Sequence, residues 1–142
     1  MSRREFLAWL ALIFAVRIAC WAGLQGGDDC SYLRIALHWR EGLPQAGSPL
    51  HALRWAWVGL VAAFQALTHA RGEASGWVSM PGAMALAWLT ARWGLVLGGK
   101  GLARAALAFL ALYPLHAHYS TLAFPECTTA ALVGFSVSLL AL

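Results

Sequence analysis

The sequence predicts an all-α protein, a polytopic membrane helix bundle with an interfacial helix after the first transmembrane helix. Three observations carry that expectation. Of the 142 residues, 61% are hydrophobic and 11% charged, whereas a soluble domain carries about a quarter charged residues. Apolar runs recur along the whole chain, at 6–24, 50–68, 77–97, 102–115 and 128–142. The net charge of +4 is scattered as single or paired cations near the ends of those runs, the pattern of topology determinants and not of a nucleic-acid-binding patch. Three Cys and eight Trp also exclude a disulfide scaffold and a disordered chain.

The run 6–24 has about 19 residues, which at about 1.5 Å each cross a hydrocarbon core of about 30 Å. Arg3 and Arg4 place its N-terminus in the cytoplasm. Arg3, Arg4, Glu5, Phe6 and Leu7 also resemble a twin-arginine export signal, but Arg17 interrupts the would-be signal core and further apolar runs follow, so the reading is a retained helix. A polar turn from Gln25 to Ser31 then emerges on the opposite side. Over 30–41, Leu33, Ile35, Leu37 and Trp39 alternate with Arg34, His38 and Arg40, which predicts an amphipathic helix lying at the interface. Gly42, Pro44, Gly47 and Pro49 end it.

Between 77–97 and 102–115, Arg92, Lys100 and Arg104 surround Gly98, Gly99 and Gly101, which predicts a tight cytoplasmic hairpin. If Asp28 and the loop around Glu126 share a compartment, an even number of crossings separates them, so one of the three intervening runs does not cross. The run 50–68 is the exception expected, because it carries His51, Arg54 and Gln65 and follows two prolines. It reads as half-inserted from the outer face. The last run, 128–142, is short for a span and ends without cap, charge or aromatic anchor, so residues 1–142 are expected to be the N-terminal part of one larger transmembrane domain.

The remaining ionisable residues are few. Asp28 and Asp29 follow the first helix, and Glu126 follows Pro125 at the start of the last. Carboxylates at a membrane boundary suit general-base work, because partial desolvation raises their basicity. Asp28 and Asp29 equally suit capping of the helix beginning near Cys30.

The run from Gly27 through Asp28, Asp29, Tyr32 and Arg34 to Ala36 resembles the first-loop acidic motif of the GT-C glycosyltransferases, in the branch of protein O-mannosyltransferases and lipid A aminoarabinose transferases. The segment Tyr113 to Glu126, with Pro114, Tyr119, Ser120 and Pro125, resembles that family's stretch in which a proline ends a helix, a Tyr-Ser pair follows and an acid opens the next helix. Thr121 stands where the family commonly has arginine. The resemblance implies an inverting transfer of sugar from a polyprenyl-phosphate donor to a lipid, glycan or protein hydroxyl at the non-cytoplasmic face. By position, Asp28 matches the general base, Asp29 an orienting acid and Glu126 the second-loop acid. Tyr32 and Tyr119 match substrate-side positions, and Arg34, Arg40 and Arg54 are candidate cations for the lipid phosphate. Membrane lipids are expected partners and nucleic acid is not. The expected location is a bacterial inner membrane with the site facing the periplasm. No cofactor follows, and participation of a divalent metal is left open.

Other features read as structural. His116 and His118 are two apart and point to different helix faces, so no zinc site with Glu126 is expected. The tryptophans fit interface belts and helix packing. Cys30 and Cys127 are placed on the same outer side, where pairing is open. Arg17 is expected to face the bundle interior and to find its partner outside this stretch of chain. The alternative to a transferase is a small non-enzymatic membrane protein, such as a transporter or channel subunit with an acidic outer-face site.

Overall fold

A computed structural model of the chain describes residues 1–21, 28–42, 54–69, 77–122 and 125–140, and of Asp28 and Asp29 the backbone alone. The regular elements among these residues are all helical: α1 (Arg3–Ala19), α2 (Asp28–Glu41), α3 (Trp55–Thr68), α4 (Met80–Leu112), α5 (Pro114–Tyr119) and α6 (Glu126–Leu140). Ser2 caps α1, its hydroxyl accepting the Glu5 amide at 3.1 Å.

Helix α4 is two rods. Gly98 and Gly99 leave helical geometry, and Gly99 at φ +69°, ψ −161° occupies a region open to glycine alone. Beyond this break the chain folds back. A Cβ on Gly94 would lie 2.6 Å from the Ala103 Cα, whereas residues nine apart in a straight helix are separated by about 13 Å. The limbs 80–97 and 100–112 therefore run antiparallel. Ala87 and Ala91 share a buried cluster with Leu107, Ala111 and Ile13 of α1. Small residues allow this approach, since without Cβ bulk the backbones come near enough for dense packing.

Pairings along the rods set their directions. Glu5 meets Arg104 at 2.5 Å, while Arg17 bonds to the carbonyls of Leu110 and Ala111, so α1 runs parallel to the second limb. Gly82 abuts Thr128, Leu89 abuts Gly134, and Trp93 Nε1 donates to Ser138 Oγ at 3.0 Å, so α6 runs parallel to the first limb. Trp88 stacks on Phe135 with centroids 5.5 Å apart. The four rods thus alternate in direction. The hairpin turn and the start of α1 occupy one end, and the starts of α4 and α6 occupy the other.

At that second end α2 and α3 form a separate pair. Tyr32, Leu33, Ile35 and Ala36 of α2 pack with Trp57, Val58 and Val61 of α3 and with Val78, just before α4. Arg54 reaches Tyr32 and Arg40 reaches the Gln65 carbonyl, so the two helices lie parallel. Trp21 stacks on Trp77 at 4.9 Å, joining the end of α1 to the approach to α4.

The segment Trp77–Leu112 is, among the described residues, the one helix long and apolar enough to cross a membrane, with a mean hydropathy of 1.6 over an 18-residue window. Because Gly98 and Gly99 fold it in two, the limb 80–97 is the stretch of spanning length, rising about 27 Å. Helices α3 and α6 rise about 21–23 Å each, short of a hydrocarbon core.

Several boundaries differ from the sequence reading. α1 ends at Ala19 and α2 begins at Asp28. The apolar helix expected over 50–68 is helical from Trp55, its first residues lying outside the described ones. The helix expected over 102–115 stops at Leu112, because Pro114 cannot continue it and holds Tyr113 extended at φ −70°, ψ 113°.

Candidate functional site

The buried face of α2 carries Tyr32 into an apolar cluster with no solvent exposure. A phenol buried among Ile35, Val58 and Val61 needs a polar partner for its hydroxyl. Arg54, at the N-terminal boundary of α3, supplies one: its Nη1 donates to the Tyr32 hydroxyl and its guanidinium carbon lies 5.7 Å from the ring centroid. The two side chains form one unit, in which the ring and hydroxyl of Tyr32 hold the arginine in place.

Arg54 also lines a cleft of about 830 Å³ between the first turns of α3 and α6. Trp55, Trp57 and Leu60 form one wall, and Pro125, Glu126, Thr128 and Leu132 the other. Glu126 is exposed in the first turn of α6, where an acid is favoured by the helix dipole. The cleft therefore presents a cation able to hold a phosphate, a carboxylate able to hold a hydroxyl or a proton, and aromatic surface between them.

The sequence-selected residues divide between this cleft and other places. Arg54 and Glu126 share the cleft, and Tyr32 stands behind Arg54. Asp28 and Asp29 open α2, one helical turn before Tyr32, and their side chains lie outside the described residues. Arg34 is exposed on α2 away from the cleft wall, and Tyr119 is half-buried on α5 with its ring edge-on to His118 at 5.5 Å. Thr121 is buried, and its hydroxyl donates to the His118 carbonyl at 2.9 Å. It follows Ser120, the residue that caps α5, so an arginine at this position would have to be accommodated inside the protein.

One expectation is overturned. Arg17 has its partners within this chain. It is fully buried, with Nη1 donating to the Ala111 carbonyl at 2.8 Å and Nη2 donating to the Leu110 carbonyl at 2.6 Å and to His116 Nδ1. The cause lies at Pro114. Its missing N–H orphans the Leu110 carbonyl four residues back, and the guanidinium fills the vacancy. Because Nδ1 accepts, His116 is the neutral tautomer with its proton on Nε2. Burial, with the Arg17 charge beside it, pushes His116 down to about 4. The signal available in the sequence was the pair itself: an arginine late in α1 and a proline-terminated helix whose last carbonyls need donors.

The stretch linking this clasp to Glu126 is pinned a second time. Ser79, also buried, donates to the Leu122 carbonyl, tying the segment after α5 to the start of α4. Cys20, Cys30 and Cys127 are free thiols, so Cys30 and Cys127 are not paired. No cluster of three or more His, Cys, Asp or Glu suited to a metal ion occurs among the described residues. Comparison with protein-family models, curated proteins and solved structures finds no match.

Proposed function

We propose that the chain is part of a polytopic GT-C-type glycosyltransferase, with its site at the non-cytoplasmic face of a bacterial inner membrane. The observation that carries the reading is the meeting of Arg54 and Glu126 on one cleft, beside the helix that Asp28 and Asp29 open. In this reading Arg54, fixed by Tyr32, binds the phosphate of a polyprenyl-phosphate sugar. Asp28 takes the proton of the acceptor hydroxyl, and Asp29 orients it. The acceptor oxygen bonds to the anomeric carbon from the face opposite the leaving group, the bond from that carbon to the phosphate oxygen breaks, and polyprenyl phosphate departs as the anion. Glu126 stabilises the positive charge that builds on the sugar ring.

Membrane placement draws support from the outward apolar surface. Only 17% of the most apolar window of Trp77–Leu112 is buried, and Leu132, Leu139 and Leu140 on α6 are each more than 60% exposed. A soluble bundle turns such residues inward. In this reading α1, the two limbs of α4 and α6 cross alternately, while α2 and α3 stay at the outer face. The alternating rod directions support that arrangement.

The test is transfer of labelled sugar from a polyprenyl-phosphate donor in membranes containing the product of the full reading frame. Asp28→Asn with Asp29→Asn, and separately Glu126→Gln, are expected to lower turnover by about 100-fold or more. Wild-type transfer by the double aspartate variant sinks the catalytic assignment.

A further inference from the structure

The opposite end of the bundle carries a pocket that the transfer reading leaves unused. Arg3 of α1 and Arg92 of the first α4 limb flank a cavity of about 220 Å³ whose walls include Phe6, Trp88 and Leu95. Arg92 is held at the rim by Trp88, its guanidinium carbon 5.7 Å from the indole centroid.

The charge around this cavity is one-sided. Among the described residues Arg3, Arg4, Arg92, Lys100 and Arg104 gather at this end with a single side-chain carboxylate, Glu5, and Arg104 takes that carboxylate at 2.5 Å. Among the described residues these five cations and one carboxylate give this end a charge of +4. Topology signalling requires cations at this end but requires no cavity between them. Apolar side chains next in sequence to the lining residues Phe6 and Leu95 face outward: Leu7 is 53% exposed and Val96 80% exposed. A soluble anion makes no use of that apolar border, whereas a lipid uses both.

We infer that this pocket binds the headgroup of an anionic phospholipid, with its phosphate between Arg3 and Arg92 and its acyl chains along the apolar shaft below. Two exposed guanidiniums match phosphate oxygens in geometry and charge, and Phe6 and Trp88 beside them offer apolar surface to the rest of the lipid. The inference rests on the membrane placement proposed above and not on sugar transfer.

Native mass spectrometry of the detergent-purified full chain tests it, with phosphatidylglycerol, phosphatidylcholine and inorganic phosphate as probes. Phosphatidylglycerol is expected to be retained at least tenfold over phosphatidylcholine, and Arg3→Gln and Arg92→Gln each to lower retention roughly fivefold. Arg92→Lys keeps most of the binding. Detergent removes insertion orientation from the comparison, and helical circular dichroism matching that of the wild type qualifies each variant. Equal retention of the two lipids, or undiminished retention in the Arg3→Gln, Arg92→Gln double variant, overturns the assignment. So does displacement of phosphatidylglycerol by millimolar inorganic phosphate, which would mark a small-anion site. No sugar transfer enters the readout, so failure here and failure of the transferase reading remain distinct.

Discussion

Arg17 on α1 donates to His116 Nδ1 on α5, a contact that spans 99 positions of the chain and is closed to solvent. The same guanidinium satisfies the Leu110 and Ala111 carbonyls that the break at Pro114 leaves open. One side chain therefore terminates the second limb of α4 and anchors the segment that leads to Glu126. Arg17→Met leaves these acceptors unpaired in a buried site. It is expected to lower stability by about 2–3 kcal/mol, with Arg17→Lys intermediate because an ammonium does not span both carbonyls and the imidazole. Thermal unfolding in detergent, followed by circular dichroism, measures both.

The clasp also makes stability depend on pH. His116 stays neutral in the fold, with its value lowered to about 4, whereas in the unfolded chain it titrates near 6.5. The unfolded state binds the proton more readily, so this contribution is complete above about pH 6.5. It falls as pH drops, and roughly 3 kcal/mol is lost by pH 4. His116→Asn keeps an acceptor for Arg17 but does not titrate. The gap in melting temperature between pH 7.5 and pH 4.5 is expected to be smaller in this variant than in the wild type, and an unchanged gap refutes the role of His116.

The hairpin of α4 closes through Gly94. A Cβ there would stand 2.6 Å from the Ala103 Cα, and backbone cannot yield as a flexible side chain does. Gly94→Val is expected to cost about 2–3 kcal/mol and to loosen the two limbs. Gly59 on α3 has nothing within 4 Å of its own Cβ position. Gly59→Ala is therefore expected to raise stability by about 0.5–1 kcal/mol through helix propensity alone. The same unfolding assay should show opposite signs for the two substitutions.

The Tyr32 hydroxyl is predicted to act through Arg54. Tyr32→Phe preserves the packing against Ile35 and Val58 and the ring beside the guanidinium, but removes the hydroxyl that fixes its orientation. In the transfer assay the expected result is a rise of roughly tenfold in KM for the polyprenyl-phosphate donor with kcat little changed. A fall in kcat at constant KM would place Tyr32 in the chemistry and not behind it.

Helix content and the approximate place of each helix were legible in the sequence, because apolar runs and Gly-Pro interruptions act locally. The turn at Gly98 and Gly99 follows from glycine's backbone freedom, whereas the apolar run 102–115 hid the stop at Leu112 that Pro114 imposes. Charge placement was legible as well: Arg3, Arg4, Arg92, Lys100 and Arg104 were assigned to one side, and the structure gathers them at one end of the bundle. Two things needed the tertiary structure. Local reading left Arg17 unpartnered, because its acceptors are carbonyls nearly a hundred residues away, freed by a proline that also ends a helix. Nor did it show that Arg54 and Glu126 share a cleft while Arg34 and Tyr119 stay outside it. Periodicity within one helix tells which face a residue occupies, but which faces meet is decided by close packing between helices, at Gly82 against Thr128 and at Gly94 against Ala103.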